Sequence, residues 1–394
     1  MHLTRLVLSD FRSYPSAELH PDPGLTIVAG PNGAGKTNLL EAIHVAVTGR
    51  SHRAGAEAEL VRHGAPFARV RLDLADAGGG EPARVELVLP GEGASPEIRK
   101  RLTVNGLPRR SSSVAETVRS VLFRPEEMLL LVGSPAERRR FLDSILAQRD
   151  RRAARDLGEL ARVLAQRNAL LRAIRREEAT EDGLSFWDEQ LAQVGARVTA
   201  ARLGLVRDLD ERIPDLHDAV APPDERGERV LLSYADTLKE AWPERPAAGE
   251  ARVPDEAELL VAYRRRIASA RQKEAWNGVT LVGPQRDDLR VQLAARDVGT
   301  HASRGQQRTI ILAMKLAERD LLGADDAPSP IVLLDDVFSE LDSIRSERAL
   351  ELLLGRGQVL VTMADLGALP PARRHGVPTW QVGEGRLSLT PRVA

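Results

Sequence analysis

No cysteine occurs among the 394 residues. That excludes a disulfide scaffold, a thiolate zinc site and thiol catalysis, and it points to a cytoplasmic redox compartment. Long hydrophobic runs are missing as well: Met128 to Val132 and Ile331 to Leu334 fall far short of the roughly 18 residues that mark a membrane span. At the N-terminus, Asp10 and Arg12 interrupt before a signal-peptide core can form. The expectation is a soluble chain with no membrane partner. Aromatic residues are scarce, with 4 Trp, 3 Tyr and 6 Phe, which leaves little for base stacking. Excess charge is lacking too. With 56 Lys and Arg against 57 Asp and Glu, the net charge is -1, which argues against a wholesale nucleic-acid coat. Lysine itself is rare, since only Lys36, Lys100, Lys239, Lys273 and Lys315 stand among those 56. A lysine that must deliver a compact ammonium is therefore conspicuous.

At about 150 residues per domain, the length predicts two or three domains. Leu25 to Gly30 reads as a strand that runs into a glycine loop, and Leu39, Leu40, Ile43 and Val47 recur at helical spacing behind it. Period-two runs punctuated by Gly78 to Gly80 and Asn105-Gly106 predict an antiparallel meander. From Ser134 the texture changes to Arg/Glu/Ala/Leu helices over Pro135 to Arg176, Leu184 to Arg212 and Asp255 to Glu274, with loops expected between Ala221 and Pro254. The α/β texture returns beyond Val279, with a helix over Ser303 to Leu322, the strand IVLLDD from Ile331 to Asp336, a helix over Ser343 to Leu354, the strand QVLVT and a terminal hairpin. Two stretches are locally basic: five Lys/Arg against one acid from Glu97 to Arg110, and twelve Arg against seven acids from Ala136 to Thr180. A solvated surface is the bland explanation of each.

Gly30-Pro31-Asn32-Gly33-Ala34-Gly35-Lys36-Thr37 fits G-x-x-x-x-G-K-[ST] in the strand–loop–helix setting that motif requires. Glycines let successive N–H groups curl around phosphate oxygens, and a helix N-terminus adds its dipole. Lys36 is expected to reach the β and γ phosphates and Thr37 to place a hydroxyl on Mg²⁺; Asn38 completes the expected nucleotide contacts. The apolar run ending in Asp335-Asp336 resembles a central parallel strand delivering acids to the carboxyl edge of a sheet. Asp335 is the candidate metal ligand and Asp336 the candidate for orienting or deprotonating water. Ile331 follows Thr37 by 294 positions, so the two halves of one site sit at opposite ends of the chain with a helical lobe inserted between them. No further Asp/Glu/His cluster with two-metal spacing suggests a nuclease.

Ser303-Arg304-Gly305-Gln306-Gln307-Arg308 precedes an amphipathic helix with Ser303 as a candidate N-cap. Together with the two acids and Ser339-Glu340-Leu341-Asp342, it resembles the signature segment of ATP-binding cassette ATPases. The combination of DFRSY, GPNGAGKTNLLEAI, RRRFLD, GPQRDDL, SRGQQR and LLDDVFSELD narrows the resemblance to the RecF family, relatives of SMC head domains, and spans essentially the whole chain.

That resemblance implies an α/β fold: a cassette-type P-loop ATPase head with a mixed sheet and an antiparallel β subdomain, plus an inserted all-helical second lobe. The expected boundaries are 1–133 and 276–394 for lobe I and 134–275 for lobe II. It implies that Ser303, Arg304, Gly305 and Gln306 meet the ATP of an opposite protomer and that Asp342 lies at the dimer seam. It further implies an ATPase that needs ATP and Mg²⁺, dimerises with ATP, encloses gapped or junction DNA and works with RecR and RecO. Phosphate-dominated DNA contacts are expected from Arg99, Lys100, Arg101, Arg109 and Arg110, and more weakly from Arg151, Arg152 and Arg155. The chain departs from the cassette pattern at three places. Asp336 replaces the usual glutamate, one methylene shorter, which predicts slow turnover. Thr362 stands where a histidine is usual, and FRPEE replaces a glutamine loop, so neither Thr362 nor Glu126 inherits a role. The competing expectations are a cassette subunit powering a transporter or other assembly, disfavoured by the long separation of its motifs, and a clamp that binds nucleotide without hydrolysing it.

Overall fold

The computed structural model describes residues 1–394 except 77, 240–252, 325–326, 371–376, 384 and 391–394. In chain order its strands and helices are β1 (His2–Phe11), β2 (Tyr14–Leu19), β3 (Leu25–Ala29), α1 (Lys36–Thr48), β4 (Phe67–Ala75), β5 (Ala83–Pro90), β6 (Arg101–Val104), β7 (Leu107–Pro108), α2 (Ser111–Val114), β8 (Ser120–Phe123), α3 (Leu129–Val132), α4 (Pro135–Arg149), α5 (Arg151–Arg175), α6 (Leu184–Val220), β9 (Val230–Ala235), α7 (Glu256–Asn277), β10 (Asp288–Leu293), β11 (Arg296–Asp297), α8 (Val298–His301), α9 (Arg304–Leu322), β12 (Ile331–Asp335), α10 (Ser343–Leu353), β13 (Val359–Met363), β14 (Thr379–Gly383) and β15 (Arg386–Thr390). Two compact units form. The first holds Met1–Glu127, Leu216–Arg226 and Ile311–Ala394; the second holds Met128–Asp215 and Gly227–Ile310. Among the described residues no helix is long and apolar enough to cross a membrane.

The first unit contains two six-stranded sheets. One is antiparallel in the order β2-β1-β4-β5-β6-β7, and the other runs β15-β14-β3-β13-β12-β8. Strands β14, β3, β13, β12 and β8 of the second are parallel, and β15 closes the terminal hairpin antiparallel at the edge. Every residue of β3, β12 and β13 is buried, which explains why these strands read as continuous apolar runs rather than alternating ones. Helix α1 touches strands of both sheets. Its Leu39, Leu40, Ile43 and Val47 share one core with Leu8, Val70 and Leu87 of the antiparallel sheet and Leu333 and Leu360 of the parallel one. A helix covered on both sides can be apolar most of the way round.

In the second unit, α5, α6 and α7 pack around Leu160, Val163, Leu191, Val198, Leu259, Tyr263 and Ile267. The helical stretch expected over Pro135 to Arg176 is broken at Asp150, whose extended backbone separates α4 from α5 and whose side chain accepts from Arg152 N at 2.7 Å. This unit is not all-helical. Strand β9 falls in the region expected to be loop, and β9, β10 and β11 form an antiparallel sheet with Leu289 opposite Tyr234. Within that loop region, 240–252 lie outside the described residues.

That sheet also shifts the domain boundary. Residues 276–310, expected in the ATPase lobe, group with the helices. Within this unit the RRRFLD and GPQRDDL segments meet: Arg138 forks onto Asp288 at 2.7 and 2.9 Å, and Arg139 donates to the Asp287 carbonyl at 2.8 Å. Arg202, almost fully buried, forks onto Asp143 at 2.8 and 2.9 Å. Arg167, fully buried, reaches Asp188 and Glu274 at 2.7 and 2.6 Å. Much of the arginine excess therefore belongs to internal ion pairs.

Candidate functional site

Strand β3 ends at Ala29 and delivers the glycine loop to the start of α1. Gly30 has no room for a side chain, because a Cβ there would stand 2.5 Å from the Val382 carbonyl oxygen. Gly33 and Gly35 have φ of 81° and 108°, which glycine alone adopts freely. Pro31, Asn32 and Gly33 are exposed, whereas Lys36 is buried. The Lys36 ammonium donates to the carbonyls of Gly30 and Pro31 at 2.8 and 3.0 Å, so it is already drawn into the loop it serves. Gly35 caps α1 without any side-chain hydrogen bond, and the first backbone N–H groups of the helix are left for a ligand.

The carboxyl ends of β12 and β13 bring in the acids. Thr37 Oγ1 donates to Asp335 Oδ1 at 3.0 Å across 298 positions of sequence, and Thr362 Oγ1 donates to the same oxygen at 2.7 Å. Asp335 is buried. Asp336 takes a left-handed conformation with φ 51°, its backbone N–H reaches both the carbonyl and the hydroxyl of Thr362 at 3.1 Å, and Ser339 Oγ donates to its carbonyl at 2.7 Å. Burial raises the Asp336 carboxyl above the ordinary aspartate value; Lys36 and Ser339 oppose that, and Asp335 adds to it. A carboxylate raised in this way is a better proton acceptor. The hydroxyl of Thr37 and the carboxylate of Asp335 are hard oxygen donors of the kind Mg²⁺ takes, with water and phosphate oxygens completing its shell. That donor set fits the ion.

Sequence reasoning missed the collar around the loop. Tyr14 OH donates to the Gly35 carbonyl at 3.0 Å, and Asn38 Nδ2 to Ser13 Oγ at 2.9 Å. Asn38 thus braces the β1–β2 turn. Glu41, fully buried on α1, receives Arg12 at 3.0 and 3.1 Å, Arg53 at 2.6 Å and Ser51 at 2.6 Å. Burial would raise its carboxyl, but these donors hold it down at about 2. A lone glutamate in the apolar run NLLEAI was the available signal, because a buried carboxylate demands partners.

The remaining candidates sit as follows. In the second unit Ser303 is exposed and caps α9 reciprocally: its Oγ accepts from Gln306 N at 3.1 Å, and Gln306 Oε1 accepts from Ser303 N at 2.9 Å. Gln306 Nε2 also donates to Glu228 at 2.9 Å. Arg304 is exposed and Gly305 half-buried. In the first unit Asp342 caps α10, accepting from Arg345 N at 2.9 Å, and it pairs with the Arg345 guanidinium, which also reaches Glu225 at 2.6 Å. Desolvation would raise Asp342, yet the backbone and side chain of Arg345 hold it below its ordinary value. Arg99, Arg101, Arg109 and Arg110 are exposed. Lys100 is committed, donating to the Gly49 carbonyl at 2.9 Å and pairing with Glu57. Arg152 pairs with Glu256 at 2.8 Å, while Arg151 and Arg155 lie on the exposed side of α5. Glu126 is exposed just beyond β8.

The model of the RecF/RecN/SMC N-terminal domain family matches residues 2–374. A DNA replication and repair protein RecF of Herpetosiphon aurantiacus is 38% identical over 386 residues, covering 94% of this chain and 95% of its own. One from Frankia alni is 42% identical over 370 residues, covering 92% and 93%. Among solved structures, the recombination mediator protein RecF with ATP, described in the RecFOR pathway, superposes with a TM-score of 0.85 at 26% identity and covers 99% of this chain and 97% of its own. An SMC head bound to the C-terminal winged-helix domain of ScpA gives 0.54 at 14% identity, with 99% and 97% covered, and shares the fold.

Proposed function

The chain belongs to the RecF branch of the RecF/RecN/SMC family, proteins of DNA replication and repair built on a cassette-type ATPase head, and we propose that it works as an ATP-driven DNA clamp with slow, DNA-stimulated hydrolysis. The observation that carries this reading is the 3.0 Å hydrogen bond from Thr37 to Asp335, which unites the P-loop and the acid-bearing strand in one site. ATP is the substrate. Gly30 to Thr37 enclose its phosphates, and Lys36 exchanges the carbonyls of Gly30 and Pro31 for phosphate oxygens. Thr37 and Asp335 hold Mg²⁺, which when bound offsets phosphate charge. Asp336 orients and deprotonates the attacking water, and its short side chain, set back from that water, keeps turnover slow.

A second protomer completes the site through Ser303, Arg304, Gly305 and Gln306, with Asp342 at the seam. Arg99, Arg101, Arg109 and Arg110 contact DNA phosphates without reading sequence; gapped or junction duplexes are the ligand, and RecR and RecO the partners, in the cytoplasm. Light scattering without nucleotide, with ADP and with ATP–Mg²⁺, each with and without gapped duplex, tests the clamp. A doubling of mass with ATP, tightened by DNA, is expected. A mass indifferent to nucleotide, without DNA binding, overturns it.

A further inference from the structure

Thr362 stands directly beside Asp335 in the parallel register of β12 and β13, and its side chain is fully buried. Its hydroxyl does two jobs at once. It donates to Asp335 Oδ1 at 2.7 Å and accepts the Asp336 backbone N–H at 3.1 Å. Because Thr37 also donates to Oδ1 at 3.0 Å, that oxygen takes two hydroxyl protons. Oδ2 takes no hydrogen bond from any described residue, so it is the oxygen left for a cation. The N–H that Thr362 holds belongs to the one residue of β12's carboxyl end in the left-handed region, a conformation that costs an aspartate energy and persists only when its surroundings fix it. One β-branched hydroxyl therefore fixes the rotation of the first acid and, together with the Thr362 carbonyl that accepts the same N–H at 3.1 Å, the backbone turn that aims the second.

We propose that Thr362 is a positioning residue of the hydrolytic site, selecting which Asp335 oxygen faces the metal and locking the turn that presents Asp336. It acts through Asp335 and Asp336. Its hydroxyl cannot serve as a protonated, cationic group near phosphate in the way an imidazole can, so it contributes by fixing geometry. This rests on the ATPase reading above. A merely structural threonine would be replaced by valine without functional change, since valine keeps the shape and the branched Cβ.

The test compares Thr362→Val and Thr362→Ser in the full chain. Steady-state hydrolysis and equilibrium binding of ATP are measured over a Mg²⁺ titration and in EDTA. For Thr362→Val, kcat should fall about 10- to 100-fold and the Mg²⁺ midpoint should rise by about the same factor, the usual consequence of removing a partner behind a metal ligand. ATP affinity in EDTA should stay within about twofold, because the loop contacts are untouched. Thr362→Ser should restore both. Wild-type kcat and Mg²⁺ midpoint in Thr362→Val overturn the proposal, as does a serine variant that restores neither. A wild-type chain that neither binds nor hydrolyses ATP overturns the ATPase reading and the proposal with it, so the two failures are distinguishable.

Discussion

Helix α1 begins behind Gly35, which has no side chain to cap it, and α9 begins behind Ser303, which caps it in a reciprocal box with Gln306. Both are helix N-termini of the kind that attracts anions, but they are finished in opposite ways. The α1 terminus has no side-chain cap and opens with Lys36, while neither helix carries an acid in its first turn. The α9 terminus has spent its serine hydroxyl on its own backbone and holds Glu228 against Gln306 at 2.9 Å. In the proposed reading the first is a phosphate site within a single chain, and the second, internally satisfied, awaits a partner that offers more than the bonds it already has. On this view the nucleotide is held first by the P-loop, and the signature segment responds to it later, as a joining surface.

The comparison is broken most directly at the acids beside the open terminus. Asp336→Asn should lower turnover about 10²- to 10⁴-fold, the usual share of a general base, while leaving ATP bound. Light scattering on that variant should show an ATP dimer that persists; rapid hydrolysis by it would place the base elsewhere. Because burial raises the Asp336 carboxyl, and the base must be ionised, kcat of the wild-type chain should fall as pH drops through a value above the ordinary aspartate range. Lys36→Ala should weaken ATP binding by about two orders of magnitude, the loss of two or so charge-assisted hydrogen bonds, and abolish the ATP-dependent dimer with it. Calorimetric titration with ATP checks this. The closed terminus should behave differently: Ser303→Arg should bind ATP within about twofold of wild type and yet fail to double its mass, since a bulky cation at the joining surface obstructs pairing without touching the P-loop. An intact dimer in that variant would sink the two-protomer site.

The same contrast explains what could be read in the sequence. The P-loop was legible because its chemistry is contiguous: eight residues specify the turn, the ammonium and the hydroxyl. The strand Ile331–Asp335 was legible because burial on both faces leaves an unbroken apolar run. Strand β9 was not, since six residues with Val230, Leu232 and Tyr234 pointing inward sit in a stretch rich in proline and glycine, and β10 lies far along the chain. Composition could not separate solvated arginines from structural ones. Arg138, Arg167 and Arg202 find their carboxylates across 21 to 150 positions, and no local pattern announces such pairs. Lys100 illustrates the same limit, because its basic neighbourhood suggested DNA while Glu57 and the end of α1 hold it. Thr362 registered only as a departure from a pattern; its hydrogen bonds to Asp335 and Asp336 required the register of β12 against β13.

The smallest expected effect separates the two uses of the Ser303 hydroxyl. Ser303→Ala removes the cap and should cost the second unit about 0.5–2 kcal/mol, visible as a lower melting midpoint without nucleotide. Ser303→Asp should restore the midpoint, because aspartate caps as well as serine and complements the helix dipole. If capping were the whole role, Ser303→Asp would also restore the ATP-dependent dimer. If the segment meets phosphate on an opposing protomer, the added carboxylate repels it, and Ser303→Asp should be stable yet dimerise no better than Ser303→Ala. Melting and light scattering on this pair of variants therefore assign the hydroxyl to its own helix alone or to both its helix and the joined site.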